Sequence, residues 1–137
     1  MPHAQNIRYI KEILTMKIIQ YLHTAILVSD LAKSEKFYGE IMGLSKVERS
    51  LKFDGAWYQL GEYQIHLIVA KNLPSEMIDS QKWGRNRHIA FSVVNLEAAK
   101  QELLSHGYPI QASASGRVAL FTQDPDGNII ELSAANS

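Results

Sequence analysis

Two stretches of the chain, 65 positions apart, are written in the same pattern. HTAILVSDLAKSEKFYGEIMGL starts at His23, and HIAFSVVNLEAAKQELLSHGY starts at His88. Each opens with a short strand headed by histidine, passes through an Asp or Asn suited to cap a helix (Asp30, Asn95), and continues as an amphipathic helix that a glycine stops (Gly43, Gly107). The inward helical faces read Ser34, Phe37, Tyr38 and Ile41 in the first copy and Leu96, Ala99 and Leu103 in the second. Three short strand-like runs follow each helix: Lys46–Leu51, Ala56–Leu60 and Tyr63–Val69, then Pro109–Ala112, Arg117–Thr122 and Asn128–Ser133. Asp124-Pro125-Asp126-Gly127, with Pro at the second place and Gly at the fourth, marks the turn into the last of these. A repeat of this kind predicts an α+β fold of two βαβββ modules, helices outside a curved mixed sheet.

The register carries the chemistry. His23 and His88 head the two modules, while His66 and Glu131 fall at matching places in the two last strands, because Ile65-His66-Leu67 aligns with Ile130-Glu131-Leu132. Strand side chains alternate, so His88 shares a face with Ala90 and Ser92 and is opposed to Ile89, Phe91 and Val93. By the same parity His66 sits with Gln64 and Ile68, and Glu131 with Ile129 and Ser133. These four are expected in buried strands, where a polar group without a partner costs a few kcal/mol, and one another are the economical partners. Three imidazoles and a carboxylate suit a divalent ion such as Zn, Ni, Co, Mn or Fe(II), held at roughly 2.0–2.2 Å.

Composition narrows the partners. The 137 residues fit one domain, with 46% hydrophobic residues to build a core. Lys plus Arg and Asp plus Glu stand at 14 each, so no overall field attracts nucleic acid or an anionic membrane. A small-molecule substrate or a second copy of the chain is the expected partner. The absence of cysteine excludes disulfides, thiolate ligands and a cysteine nucleophile. Without a membrane-length apolar run or a signal-peptide core, a soluble cytoplasmic protein is expected. Residues 1–15 form an appendage in which Ile7, Ile10 and Leu14 have helical spacing. A single domain then spans 16–135: module one at 19–70, a connector at 71–86 and module two at 87–135.

The paired modules, with "HTAILVSDLAKSEKFYGEIMGL", "RHIAFSVVNLEAAKQELLSHGY" and "FTQDPDGNIIEL", resemble the vicinal oxygen chelate superfamily over about residues 19–135. That superfamily includes glyoxalase I, fosfomycin-resistance proteins, extradiol dioxygenases, methylmalonyl-CoA epimerase and bleomycin-resistance proteins. The resemblance implies metal ligands at His23, His66, His88 and Glu131. It departs from glyoxalase I at His66, where that enzyme usually has Glu. Four protein ligands leave two adjacent places on an octahedral ion, favouring a glyoxalase-type lyase or isomerase acting on a small α-oxygenated substrate. There the metal polarises a carbonyl while Glu131, or alternatively His66, moves the neighbouring proton.

Three alternatives stay open. An Fe(II) dioxygenase would use His23, His88 and Glu131 and spare His66. A fosfomycin-resistance-like transferase would use the same triad, although only Leu132–Ser137 follow the last ligand here. A bleomycin-resistance-type protein would bind without metal. Family members of this size commonly build each site across a homodimer, which would take His23 and His66 from one subunit and His88 and Glu131 from the other. The same residues could instead meet within one chain. For substrate binding, the connector KNLPSEMIDSQKWGRNR offers Arg85 and Arg87, as a lid presenting a cation or as ordinary surface arginines. Of the adjacent Trp57 and Tyr58, one should face the pocket and the other the helix layer.

Overall fold

The computed structural model describes residues 4–50 and 52–135, without the side chains of 11–14. Strands β1 (His23–Val28), β2 (Ser45–Val47), β3 (Gly55–Leu60) and β4 (Tyr63–Val69) form one mixed sheet in the order β1-β4-β3-β2. Strands β5 (His88–Val93), β6 (Ile110–Ala112), β7 (Ala119–Gln123) and β8 (Ile129–Ala134) form a second in the order β5-β8-β7-β6. In each sheet the first strand lies parallel to the last, and the other pairings are antiparallel. The expected α+β fold of two βαβββ modules is therefore present. Its repeat extends to single positions, since Ala25 pairs with His66 as Ala90 pairs with Glu131.

Local chemistry explains the elements and their limits. Asp30 accepts a hydrogen bond from the Lys33 N–H at 3.2 Å, and Asn95 accepts one from Ala98 N–H at 3.0 Å, so both predicted caps close the first helical turn. Helix α3 runs regularly from Leu96 to Ser105. Helix α2 differs, being α-helical only over Leu31–Glu35 and then widening into a π-helix over Lys36–Ile41, where Met42 N–H reaches back five residues to Phe37 O. The wider turn keeps both adjacent aromatics, Phe37 and Tyr38, in the core. Gly43 and Gly107, at φ 74° and 81°, end the helical segments in the left-handed conformation that glycine adopts without strain.

Three strand boundaries shift appreciably. The Lys46–Leu51 run shortens to Ser45–Val47, and position 51 lies outside the described residues. Arg117 precedes β7 instead of beginning it, and β6 starts at Ile110 because Pro109 has no N–H to give a ladder. The 124–127 turn forms as expected, with Gly127 N–H bonded to Asp124 O at 3.0 Å. In the N-terminal appendage, helix α1 covers Ala4–Leu14, with Ile7 and Ile10 about half exposed. His3 and the side chain of Leu14 lie outside the described residues. No helix among the described residues is long and apolar enough to cross a membrane.

One core serves both modules. Ile26, Val28, Ile65, Leu67, Ala56 and Tyr58 point from the first sheet into the layer that holds Phe37 and Tyr38, and Leu103, Leu120, Ile130 and Leu132 join the same cluster from the second module. Phe37 meets Tyr108 edge-on at 4.9 Å. Truncating a buried aromatic such as Phe37 to Ala would cost about 3–5 kcal/mol. A polar latch crosses the same seam: the Tyr38 hydroxyl donates to the buried Asp124 at 2.7 Å, and Ser29 N–H donates to Asp126 at 3.0 Å. Because the modules join on their helix sides, the opposite face of the first sheet carries His23 and His66 away from this core.

Candidate metal centre

The four polar positions divide into two pairs, one on each module. In module one, the rings of His23, His66 and Trp57 stack in the order of their strands. The His23 and His66 centroids are 4.0 Å apart and tilted by 13°, and those of Trp57 and His66 are 4.2 Å apart and tilted by 9°. Trp57 thus lies on the histidine face, whereas Tyr58, 1% exposed, faces the helix layer, as strand parity requires.

A chain of amides sets the His66 proton. Gly61 O can only accept, so the Gln59 amide nitrogen faces it at 2.6 Å and leaves Gln59 Oε1 to accept from Gln64 Nε2, also at 2.6 Å. Gln64 Oε1 then accepts from His66 Nε2 at 2.8 Å. His66 consequently carries its proton on Nε2 and its lone pair on Nδ1. Its pKa lies below the ordinary imidazole value, first through burial, then through His23 and Arg49, which keeps the ring neutral and able to ligate.

In module two, the His88 ring donates from Nδ1 to Asn86 O at 2.7 Å, since a carbonyl can only accept. A neutral His88 therefore presents the Nε2 lone pair, 3.7 Å from Glu131 Oε1. Such a carbonyl partner behind the ring is the arrangement that orients histidine ligands at metal sites. Asn86, 6% exposed, is itself held by its side chain: Oδ1 accepts from Ile78 and Asp79 N–H, and Nδ2 donates to Asp79 and Trp83 carbonyls. The Glu131 side chain is buried, with Oε1 accepting from Arg117 Nη2 at 3.0 Å and Oε2 accepting from Ser133 at 3.3 Å.

Two expectations need correcting. The four positions do not share one degree of burial: Glu131 is buried and His66 half-buried, the His88 side chain is a quarter exposed, and His23 lies open on its strand. The polar partners also differ, because the shortest contact to Glu131 comes from Arg117 and not from a histidine. The connector arginines each have an acidic neighbour. Arg87 turns to Glu76 at 3.5 Å, and Arg85 sits in a short 3-10 turn, Trp83–Arg85, near enough to Asp79 to favour its charged form. That turn packs over the second sheet, and a side chain added at Gly84 would meet the Phe121 ring at 2.6 Å. Between β1, β5 and the connector lies a cavity of about 390 Å³, with Arg87 and His88 on its wall.

Sequence reasoning missed Asn86 and Arg117. Nothing in the pattern marks an Asn two places before a strand or an Arg just ahead of one as a partner of a site residue. Arg49 was likewise missed: its guanidinium donates to Phe53 O and Gly55 O and stacks on Phe53 at 4.8 Å.

Residues 20–132 match the family model described as the Glyoxalase/Bleomycin resistance protein/Dioxygenase superfamily. The chain belongs to this superfamily. Among relatives, YwkD of Bacillus subtilis is 32% identical over 119 residues, covering 80% of this chain and 92% of its own. The lactoylglutathione lyase of Haemophilus influenzae is 29% identical over 128 residues, with 83% and 91% covered. The crystal structure of a glyoxalase/dioxygenase from Nostoc punctiforme shares the fold at a TM-score of 0.67 and 22% identity, covering 80% of this chain and 86% of that one.

The superfamily generally binds divalent metals, and the donor set here fits one: two neutral-capable imidazoles on one module, an oriented imidazole and a carboxylate on the other. Among the described residues, no three His, Asp or Glu of one chain come close enough together to hold an ion.

Proposed function

We propose that the protein is a divalent-metal-dependent lyase or isomerase of the glyoxalase type, acting on a small α-oxygenated substrate as a homodimer. His23 and His66 of one subunit and His88 and Glu131 of the other would complete each site. The observation that carries this reading is the matched register, which sets His66 and Glu131 opposite equivalent alanines, Ala25 and Ala90, beside the two module-heading histidines. A second copy is further supported by apolar side chains before β1 that the single chain leaves open, with Ile18 84% and Ile19 85% exposed. The lactoylglutathione lyase name of the Haemophilus relative supports the reaction type.

When bound, the ion supplies Lewis acidity that polarises the substrate carbonyl. The chain does the rest. Asn86 O holds the His88 ring in its ligating tautomer, and Gln64 holds that of His66. Glu131, whose Oε2 is engaged among the described residues by the Ser133 hydroxyl alone, at 3.3 Å, moves the proton between adjacent substrate carbons. The stack of Trp57 on His66 shields one wall of the site from water.

Metal analysis and subunit mixing test this reading. Wild type is expected to take up about one metal per chain, and His23→Ala/His66→Ala and His88→Ala/Glu131→Gln to take up almost none separately. Mixed in equal amounts under conditions that exchange subunits, the two variants should recover about a quarter of the wild-type metal content, because about half of the dimers become heterodimers and one of the two sites in each is intact. No metal uptake by wild type would sink the metalloenzyme reading. Full uptake by either double variant would sink the ligand set, and no recovery on mixing would sink the shared site.

A further inference from the structure

We infer that Arg117 selects a substrate whose chelating oxygens belong to or adjoin an anionic group, such as an α-hydroxy or α-oxo carboxylate. The inference rests on the metal-dependent reading above and names the substrate class for that site. A tight turn brings the guanidinium there. Ser113 N–H bonds to Ala119 O at 3.1 Å, the Ser113 and Ser115 hydroxyls meet at 2.9 Å, and Gly116 takes φ +79°. Ser115 Oγ then accepts from Arg117 Nε at 3.1 Å and steadies the side chain, whose end reaches Glu131 Oε1 at 3.0 Å.

The placement is unusual for a plain ion pair. Glu131 is 6% exposed while Arg117 is 60% exposed, so the cation stands at the open side of a buried carboxylate, where a substrate must arrive. A guanidinium has five N–H groups, and two are used. Among the described residues no hydrogen bond takes the other three, which leaves a fork free for bidentate carboxylate recognition. Charge makes the same demand. With a divalent ion on Glu131 the one carboxylate faces three positive charges, the arginine included, and neutral histidines add nothing to balance them. An anionic substrate lying between ion and guanidinium removes that surplus, whereas a neutral one leaves two cations facing each other in a partly desolvated site.

Cobalt-loaded dimer, titrated separately with oxalate and acetohydroxamate and followed by its visible spectrum, tests this. Both probes chelate through two oxygens, but oxalate carries one more negative charge when bound. Arg117→Ala should lose about tenfold or more in oxalate affinity and less than about threefold in acetohydroxamate affinity. Arg117→Lys should recover part of the oxalate loss. Cobalt affinity, measured beforehand by competition with a chelating dye, should be equal to or higher than wild type in Arg117→Ala, since a competing cation has left Glu131. Equal losses for the two probes, no loss of oxalate affinity, or a weaker cobalt site in both variants would each overturn the assignment. Wild type that binds no cobalt at all would instead overturn the metal-dependent reading on which it stands.

Discussion

Trp57 lies flat on His66, with ring centroids 4.2 Å apart and planes 9° from parallel, and His23 covers the imidazole from the side of β1. Burial is the first cause of the low His66 pKa, so removing the indole should raise it. In Trp57→Ala, an NMR titration is expected to move the His66 midpoint up towards the ordinary value of about 6.5. The sign for stability follows. A depressed imidazole resists protonation in the folded state, so its contribution is present above the unfolded pKa and is lost as pH falls from there through the lower folded pKa; Trp57→Ala should flatten that acid-side loss. An unmoved midpoint would mean that the stack does not desolvate the ring.

The amide chain Gly61–Gln59–Gln64 makes a separate prediction about the same ring. In wild type, nitrogen-15 shifts should report His66 as the Nε2–H tautomer. Gln64→Leu removes the acceptor and should leave a mixture of tautomers, with weaker metal binding and little change in thermal stability. A variant that stays wholly Nε2–H would show that another group orients the ring.

Alkaline pH probes the latch between modules. Tyr38 is fully buried, and burial followed by the charge of Asp124 holds its phenol well above the usual value near 10. Tyr58 is pushed up to about 12, by burial first and Glu35 second. Above pH 10 the unfolded chain releases both protons and the folded chain keeps them, so stability is full below pH 10 and falls as pH rises. The expected slope is about 1.4 kcal/mol per pH unit for each tyrosine, measured by urea unfolding. Tyr38→Phe should take about 1.4 kcal/mol per pH unit off the slope while costing about 1–3 kcal/mol at neutral pH, where Asp124 loses a donor. An unchanged slope would remove Tyr38 from the account.

The connector can be tested at Gly84. A methyl group there would stand 2.6 Å from Phe121 Cζ, and Phe121 in turn meets the His88 ring edge-on at 5.6 Å. Gly84→Ala should cost about 1–3 kcal/mol by overpacking and weaken metal binding through His88. At Gly55 the added carbon would lie 2.2 Å from the backbone oxygen of Leu67, which has no rotamer to yield, so Gly55→Ala should be the more damaging of the two in thermal unfolding. Equal melting temperatures for the two variants would contradict this.

Much of the molecule could be read before any coordinates. The caps at Asp30 and Asn95, the stops at Gly43 and Gly107 and the turn at 124–127 follow from hydrogen bonds and torsions spanning a few residues, so local chemistry suffices to place them. Strand alternation is equally local. It set Gln64 beside His66 and Ser133 beside Glu131 as neighbours two residues away and required Trp57 and Tyr58 to face opposite ways, while the pairing of Trp57 with His66 in the sheet decided which of them joins the histidines. The π-helical turn at Lys36–Ile41 escaped because its cause is tertiary: two adjacent aromatics must both enter a core shared with the other module.

The amino-acid order by itself determined the repeat, its register and hence which side chains share a face, because a strand has a period of two and a cap reaches only three residues. Only the tertiary structure decided which of them touch. Arg117 meets Glu131 across 14 residues, Tyr38 meets Asp124 across 86, and the connector turn at Gly84 lies against Phe121 of the second sheet. Such meetings depend on sheet twist and on how two modules share one core, and no short-range preference encodes either.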